Sequence, residues 1–495
     1  MNSKKPNILI LFTDMQRADT IHALGNETIK TPYLDRLVAE GTTFTNCFSP
    51  SPVCTPARCC MHYGLYPQKT GLFANGKMMD DNGASYPAVL SQHGYYTHAI
   101  GKCHFTPERN ALRGFDSRQS QEECTSDPET DDYIAWLRDN GYDYYEAHGA
   151  RGEMYYTPQV STLPAEAHPT QWIGDQSRTF IQEASKNDQP WCLYSSFIHP
   201  HPPFAPPKPW HKLYRSPDMP HPFIPENSQD LYTWVNRHQN RYKYRDQGFD
   251  RQLLRLIVAY YYATISFVDY QVGRIMQTLE ETGQLDNTLI LFSSDHGEHL
   301  GDLGCFGKRS MHDASSRVPM IVRYPDRFPA GEQCSVATSL CDLFPTVLGA
   351  ADISTDGIDL DGCDLADMVA NPTQERTVYS QFAYAEKGIY MAVNAQWKYV
   401  YSAGDNAEFL FDRQADPLEV QNLAASMTDA GQALKQNLLA YLQSVGATEA
   451  YIEEDGRLAW RPYPLLDETY LEDPDAGLLI QDYPSYPTDL PGYTD

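Results

Sequence analysis

NILILFTD (Asn7–Asp14) is a short apolar run that ends in a carboxylate. It shows no polar alternation and is far too short to cross a bilayer, so it reads as a strand buried on both faces. NTLILFSSD (287–295) repeats the pattern and also ends in an acid, Asp295. WCLYSSF (191–197), YYTHAIG (95–101) and VPMIVR (318–323) read as further strands. Helical patterns lie between them. One starts at Thr31-Pro32, with Thr31 as N-cap, Pro32 at the first helical position and Leu34, Leu37 and Val38 as its apolar stripe. Others are SYPAVLSQHG (85–94), PTQWIGDQSRTFIQEAS (169–185) and residues 251–282. Strands alternating with helices predict an α/β fold with a large, mostly parallel central sheet flanked by helices on both faces. Ligands of such sheets sit at the carboxyl ends of the strands, where Asp14 and Asp295 both fall.

After about residue 370 the texture changes. TVYSQFA, GIYMAV, WKYVYS and EFLFD are short strands at close spacing, followed by a helical pattern near 427–445. They predict a smaller C-terminal α+β subdomain on an antiparallel sheet. The chain divides into a main α/β domain (1–370), this subdomain (371–446) and a Tyr/Pro/Asp-rich tail (447–495). Two segments of the main domain read as insertions, one near 105–165 and one near 200–250. The tail reads either as a docking arm, through which the chain forms a homo-oligomer, or as a poorly ordered end.

The 38 Lys and Arg against 65 Asp and Glu give a net charge of −27. That excludes a nucleic-acid partner, which needs a basic face, and disfavours a long polyanion. A local basic pocket for a small anion is compatible with it. No apolar run spans a membrane, so no membrane partner is expected. The opening MNSKKPNILILFTD lacks the small-residue cleavage site of a secretory leader. The expected location is the cytoplasm, or the periplasm if a leader has been removed. The 11 cysteines are odd in number and contain no Cys-x-x-Cys pair, which fits a reducing compartment. Cys59 and Cys60 read as core packing.

CTPAR (54–58) holds the residues of most chemical interest. Thr55 reads as an N-cap and Pro56 suits the first turn, placing Cys54 just outside a helix N-terminus. Free N–H groups there favour an anion, and Arg58, one turn in, faces the same place. A thiol in that position is acidified. The plain alternative is a capped core helix. Asp14 and Asp295 on two buried strands, with His296 beside the second, suit one hard cation, Mn²⁺ being compatible with the histidine. A lone strand-end acid is otherwise a cap or turn residue. Lys102 and His104 in GKCH (101–104), His199 and His201 in IHPHPPF (198–204), and Lys308 in GCFGKRSMHD (304–313) follow strands on the same sheet edge. Singly, such residues are usually structural or solvated.

Taken in order, PNILILFTD, IKTPYLDRLVAEGTTFTNCF, CTPAR…GLYPQKTG, GKCH, PHPPF, SDHGEHLGD, GK…SSRVPMIVRYP, DLFPTVLGAADI and FLFDRQADPLEVQNLA run along nearly the whole chain. On these pieces the chain resembles the type I, formylglycine-dependent sulfatases of the alkaline phosphatase superfamily. The resemblance implies a sulfuric ester hydrolase acting on a sulfate monoester of a carbohydrate or other small or oligomeric organic substrate. It implies that a formylglycine-generating enzyme converts Cys54 to formylglycine, whose hydrate is the nucleophile. It further implies that Asp14, Asp295, His296 and residue 54 hold Ca²⁺, which lowers the pKa of the attacking hydroxyl. Arg58, Lys102 and Lys308 would neutralise the sulfate oxygens. His201, assisted by Lys308, would protonate the leaving oxygen. His104 would take the second hydroxyl proton, expel sulfate and restore the aldehyde.

The chain departs from that pattern in places. Met15 follows the first aspartate, where many relatives carry Asp or Gln, and a thioether is a poor ligand for a hard cation. Gln16 or water then fills the gap, or the cation is held more weakly. His296 stands where many relatives have Asn, which resembles the phosphonate monoester hydrolase and choline sulfatase branches. Ala57 stands where Ser is common. His199 has no family counterpart and reads equally as a substrate contact or as loop structure. The competing readings are a phosphonate monoester or phosphodiester hydrolase using the same aldehyde, and an inactive protein that binds sulfated ligands.

Overall fold

The computed structural model describes residues 5–123, 127–142, 147–149, 155–240 and 250–466. β1 (Asn7–Asp14), β2 (Thr42–Phe44), β3 (Tyr96–Gly101), β4 (Ser117–Ser120), β5 (Trp191–Pro200), β6 (Thr288–Ser294), β7 (Met320–Arg323) and β8 (Glu332–Cys334) form one sheet. Their order is β8-β2-β7-β6-β1-β5-β3-β4. β7 runs antiparallel to β2 and β6, and the other neighbours are parallel. β1 lies at the centre, with Leu9 beside Leu193 of β5 and Ile290 of β6.

All eight residues of β1 are buried, and their alternation splits them between two cores. Ile8, Ile10 and Phe12 pack with residues of α2 (Cys54–Tyr63), α3 (Tyr86–Gln92) and α7 (Leu343–Ala350). Leu9 and Leu11 pack with residues of α1 (Pro32–Glu40), α4 (Asp132–Asp139), α5 (Pro169–Ala184) and α6 (Arg251–Glu281). Each such side chain contributes about 1.5–3 kcal/mol when fully buried. This is the α/β sheet with helices on both faces that the apolar runs predict. Among the described residues no helix is long and apolar enough to cross a membrane.

A separate antiparallel sheet follows, from β9 (Val378–Phe382), β10 (Ile389–Val393), β11 (Trp397–Ser402) and β12 (Ala407–Asp412). One face packs under α8 (Asp429–Ser444), through Leu434, Leu438, Leu439 and Leu442. The other face lies on the main body and reaches Val53, next to Cys54. Lys398 of β11, fully buried, donates to Met311 O at 2.9 Å and pairs with Asp313 and Glu419. That pairing ties the small sheet to the loop carrying Lys308.

Three local expectations need correction. Thr31 makes no side-chain cap to α1. Its hydroxyl accepts from His22 N–H, and the first-turn amide of Leu34 is met by Asp269 of α6 at 2.7 Å. VPMIVR is not one strand. Pro319 divides it, because proline supplies no N–H to a ladder, so Val318 pairs with Cys47 while β7 joins the central sheet. The expected tail begins as a hairpin of β13 (Tyr451–Glu454) and β14 (Arg457–Trp460). Trp460 of that hairpin stacks on Tyr401, with centroids 4.2 Å apart. The rest of the tail, from residue 467, lies outside the described residues.

Gly101 ends β3 just before Lys102, at φ +90°, and an added Cβ would stand 2.1 Å from Ser196 O. Gly94 has the same φ of +90° but its Cβ would meet nothing within 4 Å. Gly94→Ala should therefore cost only the left-handed penalty, about 1–2 kcal/mol. Gly101→Ala should cost about 3 kcal/mol or more, because the close approach adds to it. Urea unfolding of the two variants measures this, and equal losses would contradict the packing account.

Candidate active site

β6, β1, β5 and β3 are successive neighbours, and their carboxyl ends deliver the polar residues to one place. β1 ends in Asp14, and Asp295 and His296 follow β6. His199 is the penultimate residue of β5, with His201 just beyond, and Lys102 and His104 follow β3. Cys54 comes from the side, on α2. The N-cap of α2 is Val53 in extended conformation (φ −155°, ψ 143°), so Cys54 begins the helix and Thr55 is not the cap. Thr55 N–H donates instead to Asn75 Oδ1 at 3.2 Å.

Arg58 organises the centre. Its Nε donates to Asp295 Oδ2 at 2.9 Å and a terminal nitrogen lies 3.2 Å from Asp14 Oδ2. The other terminal nitrogen donates to Lys102 O, Tyr194 Oη and Ser196 Oγ at 2.7, 3.0 and 2.9 Å. Lys102 Nζ sits 2.6 Å from both Asp14 Oδ2 and Glu123 Oε2. Lys308 Nζ donates to Cys54 Sγ at 2.7 Å, and His296 Nε2 is 3.3 Å from the same sulfur. Arg58, Lys102, Lys308, Asp14, Asp295 and His296 are all buried.

Burial opposes ionisation of Cys54, yet Lys102, Lys308, His296 and His104 hold its thiol well below the ordinary cysteine value. Burial and the Cys54 charge push Asp14 upward, but Lys102, His201 and Lys308 hold it well below the usual carboxylate range. Asp295 moves the other way, raised by burial and by Asp14 despite His296 and Arg58. Two buried carboxylates thus crowd one another.

That crowding is what a divalent cation relieves. Donor atoms of Asp14, Cys54, Asp295 and His296 all lie within 4.8 Å of one another. His296 Nδ1 is 3.0 Å from Gly297 O. A carbonyl only accepts, so Nδ1 carries the proton and Nε2 turns its lone pair to the cluster. Gln16 Oε1 is buried without a hydrogen-bond partner two residues after Asp14. These donors fit a hard or borderline cation. Met15 serves the cluster through its backbone. It stands at φ +68°, its N–H donates to Asp295 Oδ1 at 3.0 Å, and its carbonyl accepts from Tyr261 at 2.8 Å.

His201 Nδ1 lies 2.7 Å from Pro202 O and 3.6 Å from Glu123 Oε1, and Nε2 lies 3.4 Å from Tyr155 Oη. His104 stands at φ +56°, with its N–H donating to Glu122 Oε1 at 3.1 Å. His199 is placed elsewhere. Its Nδ1 meets Thr170 Oγ1 at 3.1 Å and its ring lies 4.8 Å from that of His168, so it pins β5 to α5.

Sequence reading missed Glu122 and Glu123. Glu122 accepts from the N–H groups of Cys103 and His104 and from Arg118, so it fixes the turn that carries Lys102 and His104. Glu123 binds Lys102 and faces His201. Their only signal was a pair of acids in an acid-rich insertion, which reads as solvated surface. Ser49 was also unmarked; its Oγ donates to Asp295 O at 2.6 Å.

A family profile described as Sulfatase matches residues 6–353. The chain belongs to the sulfatase family. The family lies within the alkaline phosphatase superfamily and comprises hydrolases of sulfate esters. A second profile, the C-terminal region of N-sulphoglucosamine sulphohydrolase, matches residues 301–445 of this sulfatase. It is 31% identical to a choline-sulfatase of Rhizobium meliloti over 94% of this chain and 92% of that one. It is 28% identical to an arylsulfatase of Clostridium perfringens over 93% and 98% of the two chains. Among solved structures, the phosphonate monoester hydrolase of Agrobacterium radiobacter is similar at a TM-score of 0.74 and 25% identity, covering 92% of this sulfatase and 100% of that chain. The family in general uses a metal and formylglycine.

If Met15 contributes only its backbone, Met15→Leu should leave divalent-cation affinity within about threefold. Asp295→Asn should weaken it at least ~100-fold, beyond what loss of an orienting partner causes. Calorimetric titration of chelator-stripped protein with Ca²⁺ measures both. A large loss in Met15→Leu would place the thioether among the ligands.

Proposed function

We propose that this sulfatase hydrolyses a sulfate monoester of a small or oligomeric organic substrate, with residue 54 as nucleophile after conversion of Cys54 to formylglycine. The observation that carries the reading is Cys54 Sγ, held between Lys308 at 2.7 Å and His296 at 3.3 Å beside two carboxylates. Sγ marks the position that the oxygens of the converted side chain would take. Asp14, Asp295, His296 and residue 54 would hold the cation, with Ca²⁺ favoured by the carboxylates and Mn²⁺ by the histidine. The aldehyde hydrate supplies a nucleophilic hydroxyl and a second one whose deprotonation releases sulfate, and the cation supplies Lewis-acid polarisation.

The chain's own residues do the rest. Arg58 fixes both carboxylates and brings its charge close to residue 54. Lys308 and Lys102 place two ammonium groups where negative charge grows on the sulfate oxygens. Glu123 keeps Lys102 in place. His104, held by Glu122 in a turn that points it at residue 54, takes the proton whose removal expels sulfate. His201 gives its proton to the departing alcohol oxygen. Burial lowers the His201 pKa, Glu123 and Asp14 pull it up, Lys308 pushes it down, and the net direction is below the ordinary histidine value. Its acid form is therefore lost as pH rises through a point below about 6.5.

A phosphonate monoester hydrolase is the second reading, favoured by the similar solved structure of that description. The inactive-binder reading has less behind it, because His104, His201, Lys102 and Lys308 are all retained and buried or half-buried around one thiol.

Side-by-side turnover of 4-nitrophenyl sulfate and phenyl phosphonate esters tests the reaction class. Faster sulfate turnover, abolished in Cys54→Ala, is the expected result; much faster phosphonate turnover would overturn it. A second test addresses His201. Turnover of an alkyl sulfate, whose leaving oxygen needs a proton, should climb as pH falls from about 8 to about 6. That of 4-nitrophenyl sulfate should climb far less. His201→Gln should slow the alkyl sulfate by about 10²–10⁴-fold and flatten its pH profile. Equal losses on both substrates would remove His201 as the acid.

A further inference from the structure

Arg309 follows Lys308 and is 8% exposed. It stands at φ +77°, and its N–H donates to Pro52 O at 2.8 Å, two residues before Cys54. Lys308 and Arg309 are thus both anchored on the segment that carries the nucleophile. Among the described residues, the other buried arginines all have partners. Arg58 binds Asp14 and Asp295, Arg323 binds Glu40 and Asp286, and Arg113 binds Met79 O. The Arg309 guanidinium has no hydrogen bond and no ion pair there, and its nitrogens keep some contact with solvent, so it faces an opening although the residue is mostly buried. Burial pulls its pKa below the ordinary arginine value, with Cys54, Tyr155 and Tyr156 the groups pulling upward.

A guanidinium stays charged, offers five donors and cannot accept. Drawing it largely out of water without an anion is costly, so a mostly buried one is normally paired. Its neighbours Cys54, Tyr155 and Tyr156 indicate where an anion would meet it. Tyr155 Oη lies 3.4 Å from His201 Nε2, on the side where the alcohol departs. Tyr156 Oη is occupied, donating to Glu298 Oε2 at 3.0 Å. The sulfate end already has Lys308 and Lys102. We propose that Arg309 binds a second anionic group of the substrate, a carboxylate or a further sulfate, carried on the alcohol side of the ester. The fork of the guanidinium matches either group with two parallel hydrogen bonds. This inference rests on the sulfate-ester reading and narrows its substrate class to doubly anionic esters. It also sets this chain apart from its choline-sulfatase relative, because an unpaired guanidinium repels a quaternary ammonium.

The test compares kcat/KM for 3-carboxyphenyl sulfate, resorcinol disulfate, phenyl sulfate and choline sulfate in the wild type, Arg309→Gln and Arg309→Lys. The wild type should prefer one or both dianions over phenyl sulfate by about tenfold or more, chiefly through KM, with choline sulfate poorest. Preference for one dianion alone identifies its group as the one recognised. Arg309→Gln should bring the dianion-to-phenyl ratio close to one, and Arg309→Lys should keep part of it. Ratios are taken within each variant, so a fraction of misfolded protein cancels. An unchanged ratio in Arg309→Gln would overturn the proposal, as would an equal loss on phenyl sulfate, which would move Arg309 to the scissile group. Calorimetric affinities of Cys54→Ala, with and without Arg309→Gln, give the same ratio without turnover. A wild type that hydrolyses none of the four esters would therefore refute the hydrolase reading, while the calorimetric ratio still decides the role of Arg309.

Discussion

Two carboxylates from adjacent buried strands cannot share a dry pocket without counter-charge, and Arg58 supplies it. Its guanidinium touches Asp14 and Asp295 and reaches back to Lys102 O, Tyr194 and Ser196. One side chain therefore joins the helix that carries Cys54 to the ends of β1 and β6, to β5 and to the turn after β3. Breaking such a buried pair costs about 3–5 kcal/mol, more than most single contacts in a domain. The parallel sheet makes this arrangement available, because parallel order puts the carboxyl ends of β6, β1, β5 and β3 on one edge.

Much of this was legible in the chain. Unbroken apolar runs ending in Asp14 and Asp295 marked central strands and a polar edge at once. CTPAR and GKCH marked where a thiol and basic groups belong. Elements that depend on distant partners were not legible. The first turn of α1 is met by Asp269, more than 200 residues away, so Thr31 only looked like its cap. Thr55 also looked like a cap, but α2 begins at Cys54, after an extended Val53 that offers no capping side chain. Glu122 and Glu123 sit in an insertion whose composition reads as surface, and only the folded chain brings them under Lys102 and His104. Met15 looked like a missing ligand, and the backbone N–H it offers Asp295 has no sequence signature.

Around the fixed centre, later parts of the chain set the rim. The small antiparallel sheet covers Val53 and, through Lys398, holds the loop that presents Lys308 and Arg309. The insertion near 105–165 contributes Glu123 beside Lys102 and Tyr155 beside His201. In the proposed mechanism strand ends and α2 supply most of the scissile end, with Lys308 brought by a loop, whereas Tyr155 and Arg309 come from loops, which vary more readily than the elements they join. Arg309, proposed above to meet a second anionic group, is carried by one of those loops, beside Lys308.

The central claim is that residue 54, once converted, is the nucleophile. Peptide mass spectrometry of residue 54, read alongside 4-nitrophenyl sulfate turnover on preparations converted to different extents, tests it most directly. Turnover should rise in proportion to the fraction carrying the aldehyde and extrapolate to zero where every chain retains cysteine. Turnover that is independent of the converted fraction would contradict the account.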